Sequence, residues 1–124
     1  MNQKKVLIID DEAAAADMIS EFFTVFGFQT RTMLSGKTVL EDVQSFKPDL
    51  ITLDLNMPDI SGLEILTLLK KDEKTRHVPV LIISVDGDSV SAFEDVMKQC
   101  QGILKKPLKM KILQEKIETI LSAT

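Results

Sequence analysis

Three short runs decide most of what this chain can fold into: Val6-Leu-Ile-Ile9, Leu50-Ile-Thr-Leu53 and Val80-Leu-Ile-Ile83. Each is rich in β-formers and continuously apolar, where a half-exposed strand would alternate with polar residues. Strands covered on both faces read this way, which points to a parallel sheet between layers of helices. Two weaker runs, Phe28 to Met33 and Gly102 to Lys105, extend the set.

Helical spacing fills the intervals. Ala15, Ile19, Phe22 and Phe26 recur on one face of a helix from Glu12 to Phe26, and Gly27 stands at its stop. A second helix carries Val39, Leu40, Val43 and Phe46 and ends before Pro48. Ser61 and Glu64 have capping-box spacing for a third, which continues through Leu66 and Leu69. A fourth spans Ser89 to Lys98, and the last, from Leu108, sets Met110, Leu113, Ile117 and Ile120 on one stripe. Strand then helix, repeated, predicts an α/β fold with right-handed crossovers and helices on both faces. In 124 residues with no linker, repeat or low-complexity segment, that is one domain spanning 1–124.

Composition narrows the function. A net charge of −4 disfavours direct nucleic-acid binding or adhesion to anionic membranes. Cys100 is the sole cysteine, so no internal disulfide can form and a reducing compartment fits. The N-terminal MNQKKVLIIDDE holds too short an apolar run for a signal peptide or span, so the expected location is the cytoplasm. His77, the lone histidine, sits in the polar stretch KDEKTRH and reads as a solvated loop residue.

In open parallel sheets ligands bind beyond the carboxyl ends of the strands. The first strand ends in Asp10-Asp11-Glu12 and the third in Asp54, with Asn56 two residues on. The fourth ends in Ser84, before Val85-Asp86-Gly87, and the fifth in Lys105-Lys106-Pro107. If the first, third and fourth strands are neighbours, several carboxylates share one small space. They cannot all stay ionised there without a cation. Oxygen donors without His or Cys select a hard ion: Mg²⁺ first, with Mn²⁺ or Ca²⁺ as substitutes. Lys106 offers a point charge and Ser84 a hydroxyl to a phosphoryl group, and a carboxylate placed between metal and lysine can attack phosphorus.

Each part has a plainer role when taken alone. Asp10-Asp11 would cap the first helix, Asp54 would close an Asx turn, and Lys105-Lys106 would be a solvated pair. Asp59 would serve its loop. The coincidence of four strand ends favours the chemical reading. Two lookalikes fail. Ser35-Gly36-Lys37-Thr38 ends like a P-loop but has Arg31 where the leading glycine belongs, and Asp54-Leu55-Asn56 runs into Met57-Pro58 rather than an EF-hand loop.

The segments IIDDE, LITLDLNMPDISGLE, LIIS and KKP, in this order and spacing, resemble the receiver domains of two-component response regulators over essentially the whole chain. The resemblance implies a flavodoxin-like sheet of order 2-1-3-4-5 and phosphorylation of Asp54 by a histidine kinase or His-phosphotransfer protein. It implies Mg²⁺ held by Asp11, Asp54 and the Asn56 carbonyl, with Asp10 acting through a bound water. Lys106 would contact the phosphoryl group, with a cis peptide to Pro107, and Ser84 would be drawn toward it after transfer. Such a domain catalyses only its own phosphotransfer and dephosphorylation. Its output would be a protein target docking on the last helix-strand-helix face, including Lys98, Ile103, Lys105, Lys109 and Met110, with homodimerisation an option.

Two positions depart from the family pattern. Ile103 stands where Tyr or Phe is usual, and the chain has no Tyr, so aromatic rotation coupled to Ser84 is unavailable. Val85 replaces a small residue and is expected to narrow access to the phosphoryl group. A phosphorylation-independent pseudo-receiver is the main alternative reading. A Mg²⁺-dependent phosphohydrolase would want a carboxylate at Asn56 and a cap domain, and a flavin module would be repelled by Asp10-Asp11-Glu12. Because the last predicted helix runs to the end of the sequence, a stand-alone receiver is expected.

Overall fold

The computed structural model describes residues 3–58, 60–85 and 98–122. Its strands are β1 (Lys5–Ile9), β2 (Gln29–Met33), β3 (Leu50–Leu53), β4 (Val80–Ser84) and β5 (Gly102–Lys105). Its helices are α1 (Ala13–Val25), α2 (Val39–Phe46), α3 (Gly62–Lys71) and, between β5 and the C-terminus, α4 (Met110–Ser122). The helix expected over Ser89 to Lys98 lies outside the described residues except at its end, and so do Asp59, Asp86 and Gly87.

All pairings are parallel and the sheet order is β2-β1-β3-β4-β5, the flavodoxin-like arrangement. The side-chain period of two sends alternate residues of each central strand into different cores. Leu7, Ile9, Ile51, Leu53, Val80 and Ile82 pack with α2 and α3 on one face. Val6, Ile8, Leu50, Leu81 and Ile83 pack with α1 and α4 on the other. Double coverage is why these runs are unbroken in hydrophobicity. By contrast β2 is an edge strand, largely exposed, and its polar residues Gln29, Thr30, Arg31 and Thr32 follow from that.

The expected stripes hold at Ala15 and Ile19 on α1 and at Leu113, Ile117 and Ile120 on α4, and differ at single positions. On α1 the fully buried ring is Phe23, flanked by partly buried Phe22 and Phe26, because Ala16, Ile19 and Phe23 form the i, i+3, i+7 row that faces the sheet. Phe23 meets Phe28 edge to face at 5.1 Å between centroids. On α4 the buried row is Leu113, Ile117 and Ile120, while Met110, the first helical residue, is exposed.

Helix ends follow local rules. Gly27 stops α1 with φ of 92°, a left-handed conformation that suits glycine. The Ser61 hydroxyl caps α3 by accepting the Glu64 backbone N–H at 3.2 Å. Ser61→Ala should therefore cost about 1 kcal/mol of stability, read as a lower denaturation midpoint at unchanged slope.

Candidate functional site

The β1, β3 and β4 ends are adjacent in the sheet, and register sets their functional groups level. Ile9 pairs with Leu53, so Asp10 and Asp54 leave neighbouring strands at the same height. The Asp54 backbone N–H bonds the Ile9 carbonyl at 3.0 Å, and Lys106 is anchored next door by its N–H to the Ser84 carbonyl, also 3.0 Å. Asp10, Asp54 and Ser84 are buried, while Asp11 is exposed.

Each central acid divides its oxygens between a turn and a charge. Asp10 accepts the Glu12 backbone N–H on Oδ1 at 3.0 Å and Lys106 Nζ on Oδ2 at 2.7 Å. Asp54 accepts the Asn56 backbone N–H on Oδ1 at 3.1 Å and Lys106 Nζ on Oδ2 at 3.3 Å. The plain Asx-turn reading of Asp54 and the chemical one therefore hold together. One oxygen orients the carboxylate and the other faces the lysine.

The electrostatics reflect crowding. Burial pushes the Asp54 carboxyl above its ordinary value, against the Asn56 hydrogen bond and the Lys106 charge, with the neighbouring Asp10 charge adding to the rise. Burial alone would lower Lys106. The hydrogen bond to Asp10 and the charges of Asp54 and Asp10 outweigh it and hold the ammonium above its usual value. One oxygen from each of Asp10, Asp11 and Asp54 lies within 4.8 Å of the others, close enough for one ion to touch all. The donors are oxygen only and mostly preorganised, which fits a hard divalent cation.

The remaining expected residues fall as follows. Ser84 is brought to the site with its hydroxyl accepting from Asn56 Nδ2 at 3.3 Å. The Lys106-Pro107 peptide is cis. Val85 is exposed beside the site, and Ile103 is partly buried against the α2/α3 core. Lys98, Lys105 and Lys109 are exposed. His77 is exposed in the α3–β4 connection, away from the strand ends. Cys100 is half-buried, and burial raises its thiol above the usual value, which suits an inert side chain. No described helix is long and apolar enough to cross a membrane.

Two contributors escape a reading by motif. The side chain of Asn56, beyond its backbone, reaches Ser84. Gly62 lets α3 approach the Asp54 carbonyl so closely that any Cβ would collide with it. A glycine at the first helical position, where other residues form helix better, was the available signal.

Comparison with known proteins adds to this geometry. The family model for the response regulator receiver domain matches residues 6–118. The polar-differentiation response regulator DivK of Brucella ovis is 31% identical over 120 residues, which cover 95% of this chain and 96% of that one. A response regulator receiver domain from Clostridium thermocellum is 27% identical with a TM-score of 0.84, covering 97% of this chain and 95% of that one. A CheY-like receiver from Methylobacillus flagellatus superposes with a TM-score of 0.86 over 96% of this chain and 99% of its own; at 24% identity it speaks to the fold alone.

Proposed function

The chain belongs to the response regulator receiver domain family, and on that premise we propose that Asp54 accepts a phosphoryl group in a Mg²⁺-dependent transfer. The donor is a histidine kinase or His-phosphotransfer protein, and the product switches a protein-binding surface. The carrying observation is the convergence of Asp10, Asp11 and Asp54 with Lys106 at the strand ends.

Asp11, Asp54 and the Asn56 carbonyl would hold Mg²⁺, with Asp10 acting through a bound water. Bound there, Mg²⁺ would supply positive charge to offset that of a phosphoryl group. The protein's own part is positioning. The Asn56 N–H fixes Asp54 Oδ1 in orientation, and β3, buried on both faces, fixes its place. The carboxylate oxygen bonds phosphorus as the donor's P–N bond breaks, and the electron pair stays on the departing imidazole. Lys106, already within 3.3 Å of Asp54, meets the charge delivered with the phosphoryl group. Such a step needs no general base.

The added charge biases a two-state surface. Lys98, Lys105, Lys109 and Met110 present exposed side chains near β5 and α4 for a partner, with Ile103 at the margin of the core.

The test is incubation with acetyl phosphate, followed by intact mass. With Mg²⁺ the mass should rise by one phosphoryl group, and a chelator should prevent the rise. No adduct with Mg²⁺ present would overturn the proposal.

A further inference from the structure

The site closes into a ring of hydrogen bonds. Asn56 N–H donates to Asp54 Oδ1, and Asn56 Nδ2 donates to the Ser84 hydroxyl. Lys106 N–H donates to the Ser84 carbonyl, and Lys106 Nζ donates back to Asp54 Oδ2. Lys106 and Asp54 belong to the reaction already described. The Asn56 amide does not, because that reading uses only its backbone.

Ser84 is fully buried, so its hydroxyl depends on protein partners. Among the described residues its partner is the Asn56 amide, at 3.3 Å. We propose that the Asn56 side chain is a latch that holds the Ser84 hydroxyl in its resting place, so that Asn56 is a positioning residue setting the threshold of the switch. This rests on Asp54 as phosphoacceptor with Ser84 as the group drawn to the phosphoryl oxygens. The hydroxyl cannot keep the Asn56 contact in place and also turn to the phosphate. Breaking the latch is then part of the free energy of switching, and the amide opposes the phosphorylated state.

The latch also joins β4 to the loop that leads to α3. Its release acts on Asn56 and buried Met57, a route that does not pass through position 103. That matters here because Ile103 has no hydroxyl or ring to report the movement of Ser84.

The latch gives Asn56→Ala a definite sign. The substitution keeps the backbone N–H to Asp54 and the backbone carbonyl, and the residue is exposed enough to be replaced without disturbing the core. Losing the amide removes a contact present only in the resting state. The variant should bind beryllofluoride, in the presence of Mg²⁺, about fivefold more tightly, the worth of a modest hydrogen bond. In a Ser84→Ala background this gain should be lost. A readout without metal or phosphate is available by NMR. The Asn56 side-chain NH₂ resonances of the resting protein should shift, and exchange faster, in Ser84→Ala.

An Asn56→Ala effect that persists unchanged in Ser84→Ala, or weaker beryllofluoride binding in the single variant, overturns the latch. So do Asn56 resonances indifferent to Ser84. If the wild-type protein fails to take up beryllofluoride at all, the phosphoacceptor reading fails with it. A wild type that binds beryllofluoride, with no coupling between the two positions, removes the latch alone.

Discussion

Asp54→Asn should take up no phosphoryl group from acetyl phosphate and Mg²⁺ while remaining at least as stable as the wild type without metal. The first half follows from chemistry. An amide oxygen is too weak a nucleophile to replace the carboxylate, and the variant also weakens the cation site. The second half follows from the direction of the Asp54 shift. Its carboxyl is raised above its ordinary value, chiefly by burial. A raised folded-state pKa means that the folded protein holds this proton more tightly than the unfolded chain. The resulting stability is present below the unfolded value and is lost as pH rises through the folded one. At neutral pH the ionised Asp54 is therefore a liability that asparagine removes. Lys106 keeps its closer partner, Asp10, at 2.7 Å. The stability advantage of the variant should shrink as the solution is acidified.

Loss of uptake without loss of stability separates chemistry from unfolding. Position is checked separately, because borohydride reduces an acyl phosphate to an alcohol and turns aspartyl phosphate into homoserine. Peptide mapping of phosphorylated wild type should find homoserine at 54. Uptake surviving in Asp54→Asn, or homoserine at another position, would place the phosphoryl group elsewhere.

How much of this was legible beforehand depended on how local each cause was. The runs at Val6, Leu50 and Val80 declared themselves because both sides of β1, β3 and β4 are covered. Edge strand β2 gave a weak signal because most of it faces solvent. Ser61 and Gly27 were readable because a cap and a stop are short-range devices. On α1 the expected Ala15 and Ile19 are buried, but Phe22, Phe23 and Phe26 are equally apolar and only packing on the sheet makes Phe23 the deepest of them. At the site, strand ends announced Asp10, Asp54, Ser84 and Lys106. The division of each carboxylate between a turn and Lys106 needed the register of β1 on β3. Longer-range ties left no pattern at all. Asn56 meets Ser84 across 28 positions, and Lys70 Nζ fastens α3 to the Val78 carbonyl at 2.8 Å and to Gln101 Oε1 at 3.3 Å. Burial lowers that lysine's pKa, a cost offset by its several acceptors.

Gly62→Ala should be the most damaging small change outside the acidic cluster. In a helix alanine is favoured over glycine by about 1 kcal/mol, so propensity alone predicts a gain. Space predicts the opposite. A Cβ at position 62 would press on the Asp54 carbonyl oxygen and lie 2.5 Å from Leu55 Cα and 2.9 Å from Leu55 Cδ2. The nearest obstacles are backbone, which cannot swing aside, and the Gly62 N–H is itself bonded to the Leu55 carbonyl at 3.1 Å. Either α3 retreats and breaks that bond, or the chain behind Asp54 moves. Overpacking of this kind costs about 1–3 kcal/mol, enough to cancel the propensity gain and leave a net loss. Because the displaced atoms belong to residue 54, phosphoryl uptake should also slow by about tenfold or more, as misplacement of a reacting group does. Gly102→Ala is the control. There a Cβ would meet Lys116 Cδ at 3.1 Å and Leu81 Cδ1 at 3.2 Å, side-chain atoms that can yield, so both stability and uptake should stay near wild type. A Gly62→Ala protein with unchanged melting and unchanged uptake would show that the β3–α3 junction is looser than its contacts require, and that Asp54 is held by β3 alone.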